Sequence, residues 1–133
     1  VYVQSANARV HSVLRKATEM GMDVSDAALS AADRSGLAHD AELGVARKLA
    51  EWPRLVEIAA RTNEPHRVAF YLYELASDLH SLWNRGNDEV ALRFVQEGDE
   101  TTTQAKISLV RAVSVVISAG LGILGVTPAE EMR

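Results

Sequence analysis

Positions 66 to 83 read HRVAFYLYELASDLHSLW, and the pattern of this stretch decides the fold class. Five apolar side chains recur at steps of three and four residues, which places them on one face of an α-helix. They are Val68, Leu72, Leu75, Leu79 and Leu82. The four preceding residues, TNEP, supply a capping residue and an early proline, so the helix is predicted to begin there.

The segments on both sides of this helix also show helical spacing. Further helices are predicted over residues 3–20, 37–51, 53–61 and 104–124, with polar connections over 22–36 and 96–103. Gly21 ends the first helix, and Pro53 separates the second from the third because a proline disfavours helical geometry in the residue before it. A short turn of helix fits within 22–36, with Asp23 and Ser25 as candidate caps. No segment shows the alternation of a strand, so we predict an all-α bundle of about five helices, forming one domain over 1–133.

Composition limits the classes of function. The chain has 133 residues, of which 47% are apolar, enough for one buried core. It contains no cysteine, which excludes disulfides and thiolate metal sites and is consistent with a cytoplasmic location. The net charge of −4 predicts that any nucleic acid is bound through local contacts instead of a broad positive field. The first residues, VYVQ, lack an initiator Met, so an upstream portion of a longer polypeptide is expected.

Catalytic and metal chemistry is not expected. His66 and His80 lie on one helix about 21 Å apart, too far to share an ion. Asp78, His80 and Ser81 do not form a triad, because the side chains of neighbouring positions point away from each other on a helix. Phosphate-binding glycine motifs are absent, and no catalytic residue, metal or cofactor is predicted for this chain.

The longest apolar run, Leu109 to Leu124, is interrupted by Arg111 and is shorter than the ~20 residues that cross a bilayer. It is therefore predicted to be a buried helix, and no membrane partner is expected.

Three separated stretches resemble the C-terminal anticodon-binding (DALR-type) domain of arginyl-tRNA synthetases. Residues 2–9, YVQSANAR, are similar to the family's YVQYAHAR. Residues 64–76, EPHRVAFYLYELA, with HSLWN at 80–84, are similar to EPHRLAxYLYDLA and HSFYN. KISLV at 106–110, GLGILGV at 120–126 and PAEEM at 128–132 are similar to RLALV and GLxLLGIxxPERM. The order and spacing of the stretches agree with those of the family.

The resemblance implies an all-α domain that recognises the anticodon loop of arginine tRNA. The partners implied are this tRNA and the ligase's own catalytic domain, where ATP and Mg would bind, and no DNA partner is implied. Related synthetases carry similar helical domains, and the equivalent domain of one of these stays an alternative. A second alternative is a protein-interaction bundle, whose mark would be a large exposed apolar patch without a basic, aromatic flank.

The resemblance also implies which residues bind tRNA. The family's anticodon-loop surface maps onto Tyr2, Gln4, Ser5, Asn7, Arg9, Trp83 and Met132. Ser5 and Asn7 replace the family's Tyr and His, and Trp83 replaces a Tyr while keeping a face for base stacking. Arg133 follows the Met that usually ends the family's chains.

Spacing adds evidence that does not depend on the resemblance. Tyr2, Arg9 and Lys16 are seven residues apart and so line one flank of the first helix, where an aromatic ring and two cations fit an RNA edge. Trp83 fits either base contact or packing, because it lies close to the leucine face. Lys106 fits either a surface charge at the helix start or a phosphate contact. Tyr71 and Tyr73 are predicted to be structural.

Overall fold

A computed structural model describes residues 2–131, and these residues form an all-α bundle. The helices are α1 (Tyr2–Glu19), α2 (Asp26–Ser30), α3 (Asp40–Ala50), α4 (Trp52–Thr62), α5 (His66–Asp88) and α6 (Glu100–Ile123), with a 3₁₀ turn at Val90–Leu92. Five of the helices have eleven residues or more. Residues 2–131 contain no strand, so the predicted fold class is confirmed.

Local signals place most of the helix ends. Gly21 ends α1 with a φ of 85°, a left-handed conformation that glycine adopts without steric cost. The N–H of Ala28 donates to the Ser25 hydroxyl at 3.3 Å, which caps α2 as predicted. Asn63, by contrast, does not cap α5. It adopts a left-handed conformation with a φ of 53° and ends α4, and α5 begins without a side-chain cap.

Helix α6 begins four residues earlier than predicted. Asp99 caps it, because its carboxylate accepts from the backbone N–H of Thr102 at 3.0 Å and from the Thr102 hydroxyl at 2.7 Å. The Thr103 hydroxyl also bonds the backbone of Gln96. Polar residues that were predicted to belong to a connection therefore form the first turn of the helix.

Helix α5 lies at the centre and packs against α1, α3, α4 and α6. The leucine face predicted from spacing is buried along its whole length. Helix α6 is long and apolar enough to cross a membrane by length and composition, so the predicted shortfall in length was wrong. Half of its apolar window is nevertheless buried inside the bundle, as expected for a core helix.

Helices α5 and α6 pack tightly against each other at Gly120. A Cβ atom at this position would lie 2.7 Å from both Cδ atoms of Leu72 and 3.0 Å from its Cγ. Leu72 is 1% exposed, so its side chain has little space into which to move. The absence of a side chain at Gly120 allows the two helices to pack at this distance.

We expect Gly120→Ala to destabilise the bundle, because overpacking costs more than the gain in helix propensity; the net loss should be about 1–2 kcal/mol. Gly122 is the matched control, since it lies in the same helix and a Cβ there would meet nothing within 4 Å. Gly122→Ala should gain up to about 1 kcal/mol. Urea unfolding followed by circular dichroism measures both values, and equal stability of the two variants would contradict the packing argument.

Candidate nucleic-acid interface

Helices α1 and α5 lie side by side and run in the same direction, which brings aromatic residues of both into contact. The ring of Tyr2 lies between Tyr73 and His80, with centroid distances of 4.9 and 4.8 Å. Tyr73 is 57% exposed and Tyr2 39% exposed. Both rings therefore offer surface to a ligand. Tyr73 also packs against Tyr2, and its predicted structural role stays a prediction.

Arg9 continues this line two turns further along α1. Its guanidinium lies over the Trp83 ring at 4.8 Å from the centroid, and its Nη1 is 3.0 Å from Nδ1 of His80. Arginine can only donate, so Nδ1 of His80 accepts and the imidazole proton lies on Nε2. Arg9 is thereby held between the two rings in a fixed orientation.

Trp83 packs against Phe94 on its other side, with the ring centroids 5.7 Å apart. Phe94 is buried, whereas Trp83 is 36% exposed, so the indole both packs and presents surface. We refer to Tyr73, Tyr2, His80, Arg9 and Trp83 as the aromatic row. The sequence analysis did not include His80 and Tyr73 in this surface, although on α5 His80 lies about one helical turn and Tyr73 about three turns from Trp83.

A cleft of about 180 Å³ adjoins the row beyond Trp83. Its lining includes Ser12, Lys16, Trp83, Asn87, Arg93 and Phe94. The Nε of Arg93 donates to the carbonyl of Gly86 at 2.9 Å, which holds the guanidinium at the edge of the cleft. Lys16 thus lies on the same flank of α1 as Tyr2 and Arg9, as its spacing predicted.

The row and the cleft together combine exposed aromatic faces with cations and amide or hydroxyl groups. Such a surface can stack an unpaired base, bond its edge and neutralise a neighbouring phosphate. No acidic side chain is among the residues that the structure shows lining the cleft. The surface is therefore locally positive although the chain as a whole is acidic.

The opposite flank of α1 holds the C-terminal segment, residues 127–131. The Gln4 amide donates to the carbonyl of Thr127 at 2.9 Å and accepts from the N–H of Ala129 at 2.6 Å. The Asn7 amide donates to the carbonyl of Ala129 at 2.8 Å. These bonds join residues more than 120 positions apart and fix the segment along the first helix.

Asn7 is fully buried, and its role as an RNA contact is revised. Its Oδ1 accepts from the Ser114 hydroxyl at 2.9 Å, and Ser114 lies 3.3 Å from Nε2 of His11. Both functional atoms of the Asn7 amide are therefore used inside the protein, as an unpaired buried polar group would be costly. The Asn that replaces the family's His at this position therefore makes hydrogen bonds inside the protein. The Gln4 amide is likewise hydrogen-bonded within the protein, to the C-terminal segment.

Ser5 is half-buried on α1. Met132 lies outside the described residues. The tRNA contacts predicted for Tyr2, Gln4, Ser5, Arg9, Lys16, Trp83 and Met132 stay predictions.

Lys106 is not at the surface, so both predictions for it were wrong. It is buried, with its Nζ 2.7 Å from Oε2 of Glu42 and 2.8 Å from the carbonyl of Ala91. Glu42 is also buried, and the pair joins α6 to α3. The bond to Ala91 holds the turn that leads into Arg93 and Phe94. Lys106 therefore supports the cleft from behind and cannot reach a phosphate.

Tyr71 is structural, as predicted. It is buried, its hydroxyl donates to the carbonyl of Lys48, and its ring packs against Trp52. Burial raises the pKa of Tyr71 to about 12, so the hydroxyl stays a neutral donor.

Comparison with known proteins agrees with the helical bundle. A family model described as the DALR anticodon binding domain matches residues 3–132. The chain belongs to this family.

The chain is similar to arginine-tRNA ligases of several bacteria. It is 75% identical to the arginine-tRNA ligase of Ruegeria pomeroyi and 70% identical to that of Paracoccus denitrificans, each over 132 residues that make up 99% of this chain. The arginyl-tRNA synthetase of Thermus thermophilus has a similar structure, with a TM-score of 0.75, 27% identity and coverage of 98% of this chain and 21% of that one. The chain spans 23% of the length of the curated relatives that it matches. The resemblance inferred from the three sequence stretches is confirmed.

Lys106→Met should destabilise the bundle by about 3–5 kcal/mol, because it leaves the Glu42 carboxylate buried without a partner. Removing both charges, as Lys106→Met with Glu42→Leu, should restore most of the loss. Lys16→Met is the matched control, since Lys16 is exposed, and should change stability by less than about 0.5 kcal/mol. Chemical denaturation measures all three. A loss for Lys106→Met no larger than that for Lys16→Met would contradict the buried pair.

Acidification should weaken the bundle. Burial and the Arg9 charge lower the pKa of His80 below its usual 6.5, and burial lowers that of His11 in the same direction. The unfolded chain then binds protons more readily than the folded one, so the free energy of unfolding falls as the pH drops through 6.5 and levels off below the folded-state pKa. Unfolding curves between pH 7.5 and 5 test this. His80→Gln should show a shallower dependence, and an unchanged slope would exclude His80 as a contributor.

Proposed function

We propose that this chain is the anticodon-binding domain of an arginine-tRNA ligase and that its aromatic row and cleft hold the anticodon loop of arginine tRNA. The observation that supports the proposal most is the position of Arg9 over Trp83, beside a base-sized cleft flanked by Lys16 and Arg93. Exposed rings interleaved with cations suit unstacked loop bases, which present both a π-face and a nearby phosphate.

The chemistry of the genetic code suits a surface of this limited size. Every arginine codon has G at its middle position, so the middle anticodon base is always C. A single cleft that reads this base, with stacking surface that tolerates its neighbours, can serve all arginine tRNAs. The Asn87 amide and the Ser12 hydroxyl at the cleft supply donors and acceptors for a base edge.

The rest of the reaction is proposed to lie outside this chain. Attachment of arginine would occur in the catalytic domain of the longer ligase, where ATP and Mg would bind. This domain would orient the tRNA so that its acceptor end reaches that active site, in the cytoplasm where translation takes place. The protein-interaction alternative is less well supported, because the structure has the basic, aromatic flank that the alternative lacks.

The test is a fluorescence titration with an anticodon stem-loop of arginine tRNA. The chain has two tryptophans, so Trp52→Phe is introduced first to make Trp83 the single indole reporter. We expect the loop with C at the middle position to bind tighter than the same loop with G there. Affinity should fall steeply with salt, since each neutralised phosphate releases counterions.

Two substitutions identify the binding surface. Arg9→Ala should weaken binding about tenfold or more, because it removes a cation and the group that orients Trp83. Phe70→Ala is the matched control, since Phe70 is 66% exposed on the same helix as Trp83 but lies outside the row, and it should leave the affinity unchanged. Equal binding of the C and G loops at low salt would exclude reading of the middle base by this chain. An equal effect of both substitutions would exclude the row as the RNA surface.

A further inference from the structure

His80 lies in the middle of the aromatic row and contacts members of the row on both sides. Its ring centroid is 4.8 Å from that of Tyr2, and its Nδ1 is 3.0 Å from Nη1 of Arg9. The Arg9 guanidinium in turn lies 4.8 Å from the centroid of the Trp83 ring. The imidazole therefore links the start of α1 to the indole that adjoins the cleft.

The bond to Arg9 exists in only one protonation state of His80. A guanidinium has donors and no acceptor, so Nδ1 must present its lone pair, and the single imidazole proton lies on Nε2. A protonated ring carries an N–H on both nitrogens and a positive charge. It would face Arg9 donor to donor, with two like charges whose nitrogens are 3.0 Å apart. A proton on His80 therefore breaks this contact.

The surroundings of His80 favour the neutral ring. Burial lowers its pKa most, the Arg9 charge lowers it further, and a hydrogen bond with the backbone of Tyr2 acts in the opposite direction. Arg9 and Tyr2 are the groups of α1 that face the ring, and within residues 2–131 no carboxylate contributes to the shift. On α5 itself, the neighbouring member of the row is the uncharged Trp83. The bond to Arg9 is thus present at neutral pH.

Arg9 has little else to fix its orientation. The side chain is half-buried, and among the described residues its guanidinium has one further contact, the face of Trp83. A ring face attracts a guanidinium without fixing its rotation, whereas a hydrogen bond to one Nη sets the plane of the group. Loss of the bond would free a long side chain that base binding must order again, which reduces affinity.

We infer that His80 is a positioning residue for RNA binding: its neutral ring fixes the Arg9 guanidinium over Trp83, and a proton on the ring releases it. The inference rests on the proposed function, because the aromatic row is taken as the surface that binds the anticodon loop. A protonated histidine near RNA ordinarily strengthens binding, since it adds positive charge. Protonation of His80 should instead weaken binding, so the sign of the pH dependence distinguishes the two roles.

The test is the affinity for a dye-labelled anticodon stem-loop of arginine tRNA between pH 7.5 and 5.5, measured by fluorescence anisotropy. We expect the affinity to fall about threefold to tenfold as the pH drops below 6.5, which is the effect of having to order one released side chain. His66→Asn is the matched control, since His66 lies on the same helix outside the row with its side chain 59% exposed. It should keep the same pH dependence. Circular dichroism at each pH separates release of Arg9 from unfolding.

Two substitutions at position 80 separate the acceptor from the ring. Asparagine places its side-chain oxygen near the position of Nδ1 and does not titrate. His80→Asn should therefore bind as tightly as the unchanged chain at pH 7.5 and lose the fall in acid. Phenylalanine keeps a ring against Tyr2 but offers no acceptor, so His80→Phe should bind about threefold to tenfold more weakly already at pH 7.5.

Affinity that rises on acidification would overturn the inference in favour of His80 as a cation for phosphate. Equal affinity of His80→Asn and His80→Phe at pH 7.5 would overturn it too, since the acceptor would then have no effect. Nitrogen NMR of the labelled imidazole and guanidinium, without RNA, gives an independent readout. A proton on Nδ1 at pH 7.5, or an Arg9 signal that acid leaves unchanged, would overturn the inference. Absence of stem-loop binding at every pH, with the expected nitrogen spectra, would instead reject the proposed function and leave His80 as the residue that orients Arg9.

Discussion

The burial of one leucine face of α5 is the interaction on which the rest of the structure depends. Four other helices pack on this one element, so its direction sets theirs. Gly120 lets α6 approach it closely, and α1 packs against both α5 and α6. Because α1 and α5 run in the same direction, their side chains meet turn by turn. The aromatic row follows from this packing, which brings Tyr2 to His80 and Arg9 to Trp83.

The sequence was sufficient to predict the elements that depend on local spacing and capping. The leucine face of α5, the break at Pro53 and the turn capped by Ser25 all follow from interactions within a few residues. The resemblance then predicted the family and the side of α1 that carries Tyr2 and Arg9. The start of α6 was missed because a run of polar threonines outweighed the capping potential of a single aspartate, Asp99.

The parts that could not be predicted depend on partners distant in the chain. Lys106 was predicted to lie at the surface, because its buried partner Glu42 lies 64 positions away and no local pattern indicates the pair. The burial of Asn7 could not be predicted for the same reason, since its amide is hydrogen-bonded to Ser114 and Ala129, both more than 100 positions later. The cleft is formed by three separate segments, and only Lys16 and Trp83 could be identified in advance. Single-sequence reasoning has no access to such pairings.

The bonds that hold residues 127–131 on α1 have one more consequence. Gln4 and Asn7 bind carbonyl and N–H groups of the main chain and make no use of the side chains at Thr127 and Ala129. Any amino acid supplies the same carbonyl groups, and at position 129 only proline lacks the N–H. The side chains at positions 127 and 129 can therefore change over evolutionary time while the path of the segment along the helix is inherited unchanged. Descendant proteins could remodel the chemistry of this edge without having to refold it.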